Sequence, residues 1–99
     1  MVAKGIVLMD FNAPWCTPCR LQEPIIRHLA VRFRGKVRIE GMNVDEHPDL
    51  ALDMGIRSIP TLILFKDGKE MKRFVGLQSE TTLAEALDNL LESVPEGRG

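Results

Sequence analysis

The residues of this 99-residue chain that can do chemistry are few and close together. Its two cysteines, Cys16 and Cys19, and its single tryptophan, Trp15, fall within one stretch, Phe11-Asn12-Ala13-Pro14-Trp15-Cys16-Thr17-Pro18-Cys19-Arg20. Thiols three positions apart at the start of a helix lie on one face, close enough to form and break a disulfide between them. The attacking species in such exchange is a thiolate. A helix N-terminus supplies unpaired N–H groups and a dipole that favour negative charge on Cys16. Cys19, one turn further in, is expected to be the more buried thiol and to stay protonated, so it needs a base. Asp10 is the candidate, directly or through a water. It sits in an otherwise apolar run, where a carboxylate is costly unless it is protonated or partnered.

These side chains need elements to hold them. Residues 6–11 form an almost continuous apolar run, the pattern of a strand buried on both faces. A helical pattern follows from Cys16 to about Arg34, with Leu21, Ile25, Leu29 and Phe33 at four-residue spacing and Ile26 and Ala30 widening the stripe. Pro18 falls in the first turn, where its missing N–H is harmless, Pro24 lies inside the helix, and Gly35 is a C-terminal cap. Residues 36–44 alternate apolar and charged, which fits a partly exposed strand at a sheet edge; Gly41 breaks the phase and suggests a bulge or a change of face. Pro48 opens a short helix closed by Gly55. Residues 61–65 and 70–75 make two strands around the Asp67-Gly68 turn signal. Ser79 caps a last helix whose apolar stripe is Leu83, Ala86, Leu87, Leu90, Leu91 and Val94, and residues 95–99 are a frayed tail. The order β-α-β-α-β-β-α implies a right-handed parallel crossover, then an antiparallel hairpin, with helices covering both faces of one sheet.

Composition sets limits. The chain has the length of one domain with a single core. Apolar residues at 44% and charged residues at 27% are ordinary for a globular protein. A net charge of −1 lacks the basic excess of a nucleic-acid binder. The alternating Arg32, Arg34, Lys36 and Arg38 read as a solvated face. No apolar segment approaches membrane-spanning length, and residues 1–5 leave no room for a signal peptide. A cytoplasmic setting is therefore expected, with the cysteine pair redox-active or metal-binding rather than a secreted staple.

Taken together, the residues resemble the thioredoxin family from about Ile6 to Val94. The resemblance is carried by Asp10-Phe11, Trp15-Cys16-Thr17-Pro18-Cys19, Pro24, Ile59-Pro60-Thr61, Lys66-Asp67-Gly68 and Val75-Gly76. It implies an α/β thioredoxin fold with a four-stranded mixed sheet, the family's N-terminal strand and helix having no counterpart ahead of residue 6. That leaves residues 37–44 as the open sheet edge. It also implies protein disulfide reduction, in which Cys16 attacks a target disulfide and Cys19 resolves the mixed disulfide. No cofactor beyond the Cys16–Cys19 pair is implied. The implied partners are disulfide-containing proteins and a thioredoxin reductase as electron donor.

By the same resemblance the Ile59-Pro60 bond is cis and turns the Ile59 backbone toward Cys16. There it can offer an extended target peptide strand-like hydrogen bonds. Trp15, Ile59, Pro60, Val75, Gly76 and Leu77 are expected to form an apolar rim, with Gly76 permitting close backbone approach. Thr17 and Pro18 stand where they can tune the thiols, Thr17 replacing the family's usual glycine. Asn12 replaces an aromatic, and Gly41 aligns with a lysine that the family often places near the buried Asp. Without that counter-charge Asp10 is expected to be easier to protonate, and a neutral Asp10 at physiological pH would suit proton transfer.

Two other classes stay open on the residues alone. Cys16 and Cys19 can supply half of a zinc or iron–sulfur site, although a closed site needs four ligands. His28 and His47 read as solvent-facing and lack ligand spacing to the cysteines, and Met54 and Met71 read as core. A binding module using the fold without turnover is the second class. Within the enzyme class, a thiol oxidant or isomerase is the alternative to a reductant, and the proline beside Cys19 favours the reductant. The charged pair Arg38 and Glu40 on the open edge favours a monomer.

Overall fold

The computed structural model describes residues 4–92. Its organising element is β1 (Ile6–Asn12), which pairs in parallel with β2 (Val37–Asn43) and antiparallel with β3 (Thr61–Lys66). β3 pairs in turn with β4 (Lys69–Val75), giving the strand order β2-β1-β3-β4. The two central strands are apolar at nearly every position because both of their faces are covered. On one face Ile6, Leu8, Leu62 and Leu64 pack against Leu29 of α1 (Thr17–Arg32) and Leu83 and Leu87 of α3 (Glu80–Glu92). On the other, Val7, Met9, Phe11, Ile63 and Phe65 meet Leu50 of α2 (Pro48–Asp53) and Met54 just beyond it. This is the expected β-α-β-α-β-β-α fold with a mixed sheet and helices on both faces.

Local chemistry explains the boundaries. Ser79 Oγ accepts the Thr82 N–H at 3.1 Å and starts α3. Asp67 and Gly68 both take positive φ, 52° and 85°, as a two-residue hairpin turn of the primed type requires. The turn is tied down by Asp67, whose carboxylate accepts the Gly5 N–H at 2.8 Å and whose own N–H donates to Gly5 O at 2.9 Å.

Three expectations are corrected. Leu21 and Ala30 are exposed, and the inner face of α1 carries Cys19, Gln22 and Leu29 instead, leading to Phe33 at the C-cap. A strict four-residue repeat drifts about 40° per step around a helix, so a stripe that fits at Leu29 is off the core by Leu21. Gly41 makes no bulge: the β1–β2 register runs unbroken with Asp10 opposite Gly41, and the irregularity lies between Leu64 and Phe65, where β3 meets β4. Met71 is exposed and is the extra residue at that irregularity, skipped between the pairs Leu64–Lys72 and Phe65–Glu70, whereas Met54 is packed as expected. Val94 and residues 95–99 lie outside the described residues.

Candidate active site

The site forms where β1 ends and α1 begins. After Asn12 the chain turns through Ala13-Pro14-Trp15, and Cys16 becomes the N-cap of α1 in extended conformation. Pro18 occupies the first turn, as its fixed φ favours. Cys16 and Cys19 are joined in a disulfide, with their Cα atoms 5.2 Å apart. The Cys19 N–H lies 3.2 Å from Cys16 Sγ, so the capping atom of the helix is the sulfur itself. A negative charge on that sulfur has a donor already aimed at it and the positive end of the α1 dipole behind it. The two cysteines are about equally buried, 4% and 6% exposed, so Cys19 is not the more buried of the pair in its disulfide form. Both cysteines cluster with Ala13, and Val44 and Ile59 pack against them.

The Ile59-Pro60 peptide is cis. Ile59 O lies 3.7 Å from Cys16 Sγ, so the backbone ahead of Pro60 faces the first cysteine sulfur. Pro60 is fully buried and does not belong to the surface rim; its carbonyl accepts the Gly76 N–H at 2.8 Å and so fastens the loop after β4 beside the disulfide. Trp15, Val75 and Leu77 do form exposed apolar surface, at 66%, 60% and 46%, with Ile59 and Gly76 half-buried among them. A groove of about 330 Å³ runs from Trp15 and Ile59 toward Leu52 and Ile56. The Trp15 indole N–H donates to Asp45 at 2.8 Å. Asp45 follows β2 and is a partner no local pattern announced.

Asp10, buried near the end of β1, borders the same cavity as Cys19. A cavity of about 420 Å³ is lined by Asp10, Asn12, Cys19, Arg20, Glu23 and Gly41, among others. Burial, partly offset by a hydrogen bond from Asn12 and reinforced by the charge of Glu23, pushes the Asp10 carboxyl up to about 6. The carboxyl is thus easier to protonate than an ordinary one, as the absence of a lysine suggested. The Asn12 amide offsets part of the burial cost by favouring the charged form.

Two residues were missed. Asn12 was noted only as a replaced aromatic, yet alternation along a strand places positions 10 and 12 on one face, and that signal was available. Gln22 is fully buried and bonds both backbone groups of Gln78, accepting its N–H at 2.8 Å and donating to its carbonyl at 3.0 Å. It anchors α1 to the segment after Leu77. His28 is exposed and pairs with Glu80 at 2.7 Å, and His47 is exposed. Among the described residues no cluster of three or more His, Cys, Asp or Glu is placed to hold a metal ion, and no helix is long and apolar enough to cross a membrane.

A disulfide at a helix N-terminus, facing the backbone ahead of a cis proline and bordering the cavity of a buried carboxylate, is the arrangement of a protein disulfide oxidoreductase. The comparisons agree. The thioredoxin family model matches residues 1–89. A thioredoxin 1 of Synechococcus elongatus is 47% identical over 85 residues, spanning 86% of this chain and 79% of that protein. A thioredoxin of Staphylococcus aureus is 44% identical over 90 residues, spanning 91% and 86%. Among solved structures, a point mutant of a thioredoxin from Halobacterium salinarum superposes with a TM-score of 0.84 at 39% identity, covering 93% of this chain and 80% of that one. The chain belongs to the thioredoxin family.

Proposed function

We propose that the chain reduces disulfides of protein substrates, with Cys16 as nucleophile, Cys19 as resolving thiol and Asp10 as proton acceptor for Cys19. The observation that carries this reading is the placement of Cys16 Sγ at the α1 N-cap, 3.2 Å from the Cys19 N–H and 3.7 Å from Ile59 O. In the reduced chain, the Cys16 thiolate attacks one sulfur of a target disulfide and the other leaves as a thiolate. The Cys19 thiol then gives its proton to Asp10, and its thiolate attacks Cys16 Sγ. That step restores the Cys16–Cys19 disulfide and releases the second target thiolate; two electrons have passed to the target. An electron donor of the thioredoxin reductase class reduces the disulfide again.

Trp15, Val75 and Leu77 offer apolar contact to the target. Ile59 offers it a backbone carbonyl, and Gly76 close approach. Pro60 sets that carbonyl from below. Thr17 and Pro18 tune the couple from between the sulfurs. No metal or organic cofactor enters the cycle. The protein acts as a cytoplasmic monomer carrying electrons in cellular redox balance.

Incubation of the reduced chain with insulin, followed by thiol release, tests the direction of flow when combined with equilibration of the Cys16–Cys19 couple against glutathione. Thiol release by the wild type, its loss in Cys16→Ser, and a couple more reducing than glutathione are expected. A couple more oxidising than glutathione, with oxidation of reduced protein thiols instead, would establish the oxidant reading.

A further inference from the structure

The buried carboxylate has a partner that the disulfide chemistry alone does not require. Asp10 and Asn12 lie two apart on β1, so their side chains project to the face covered by α1. The Asn12 amide donates from Nδ2 to Asp10 O at 3.0 Å and to Asp10 Oδ2 at 3.4 Å. One amide thus grips the backbone and the carboxylate of the same residue. Asp10 Oδ1 is, among the described residues, the one buried side-chain oxygen or nitrogen left without a hydrogen-bond partner. Asp10 borders the same cavity as Cys19. Across the sheet Gly41 stands opposite Asp10, and a Cβ built there would come within 3.6 Å of Asn12 Nδ2. The amide occupies the ground beside a position that carries no side chain.

We propose that Asn12 is a positioning residue for the resolving step: its amide holds Asp10 by Oδ2 and the main chain, leaving Oδ1 uncommitted to take the Cys19 proton. The proposal rests on the assignment of Asp10 as that proton acceptor. The transfer takes a proton from Cys19 Sγ to Asp10 and leaves a thiolate that forms the S–S bond to Cys16 as the target thiolate departs. A neutral amide performs here what a cation can do, favouring the charged carboxylate without neutralising it. The charged groups around the cavity are Glu23, Arg20 and Arg27, all from α1; β2 brings Gly41 and Asn43, and β3 sets Leu62 opposite Asp10. Arg27 is engaged with Glu23 at 2.8 Å and Arg20 donates to Pro14 O at 3.2 Å. Asn12 is left as the side chain bonded to the Asp10 carboxylate among the described residues.

The test follows the Asp10 carboxyl by carbon NMR in the oxidised chain, and thiol release from insulin in single turnovers of the reduced chain from pH 5 to 9. Wild type, Asn12→Ala, Asn12→Asp and Asp10→Asn are compared. Loss of one hydrogen bond to a charged group should move the Asp10 titration up by about one pH unit in Asn12→Ala. The acid limb of the rate profile should move with it, a fall of about five-fold at pH 6 and little change at pH 8. Asn12→Asp, which puts a like charge beside Asp10, should move both further. An Asp10 titration unmoved by Asn12→Ala and Asn12→Asp overturns the role of Asn12 while leaving Asp10 as the base. An Asp10→Asn profile that keeps the wild-type rate at pH 8 and the wild-type acid limb, beyond what titration of the Cys16 thiol alone gives, instead removes the assignment on which the proposal rests, and with it the proposal. Loss of thermal stability alone, with titration and limb unmoved, also overturns it.

Discussion

Asp10 joins the stability of the protein to its chemistry. Its carboxyl goes from an ordinary 3.8 to about 6 on folding, chiefly because burial disfavours the charged form. The folded chain therefore binds more protons than the unfolded chain between those values, and its stability falls as pH rises through that window. The difference corresponds to ~3 kcal/mol at pH 7. Asp10→Asn should gain up to that amount in urea unfolding at pH 7 and nothing below about pH 4. The same substitution should slow thiol release by about a hundred-fold at neutral pH, the lower range for loss of a general base. Gly41→Lys should act in the opposite sense to Asn12→Ala. The backbone at position 41 has ordinary φ and a Cβ there meets Asn12 at an unstrained 3.6 Å. A cation opposite Asp10 should lower its titration and carry the acid limb to lower pH, read by the same NMR titration.

The elements divide into those that announce themselves and those fixed by distant contacts. β1 and β3 read correctly because strands buried on both faces need unbroken apolar runs, and α3 because Ser79 and its leucines mark both its start and its inner face. The pair Cys16 and Cys19, the carboxylate at Asp10 and the cis bond at Pro60 were legible from motif and resemblance. The phase of α1 was not, because its inner face includes Gln22, a polar residue buried to bind a backbone segment 56 positions away. Nothing near Gln22 in the chain signals Gln78, and nothing near Trp15 signals Asp45. That Asp10 protonates more easily without a lysine opposite it was legible, but the amide that stands in for part of that lysine depends on the pleat of β1. Gln22→Ala should therefore cost ~1–3 kcal/mol, since it leaves two backbone groups of a part-buried loop without partners. It should also raise the KM for insulin several-fold by loosening the segment that carries Gly76 and Leu77, while leaving the reaction with a small disulfide reagent unchanged. Steady-state kinetics with both substrates separates the two effects.

At the scale of the molecule, one sheet is shielded on both faces, and β2 and β4 are its edges among the described residues. β2 is guarded by Arg38 and Glu40, two apart on one side and joined in an ion pair. Charged edges oppose strand addition by another chain. Replacing both with valine should bring concentration-dependent association in sedimentation velocity that the wild type lacks. The disulfide stands at the C-terminal end of β1, away from neither edge but served by both: Asp45 after β2 holds Trp15, and the loop after β4 is fastened to Pro60. In the proposed function that arrangement serves an exchange in which Cys16 attacks and Cys19 resolves. The most direct test is to react reduced Cys19→Ser and Cys16→Ser with oxidised insulin and weigh the products by intact mass spectrometry. A stable mixed disulfide on Cys16 in the first variant, with little or none on Cys19 in the second, is the predicted result. Equal trapping by both variants, or by Cys16→Ser alone, would contradict the assignment of the nucleophile.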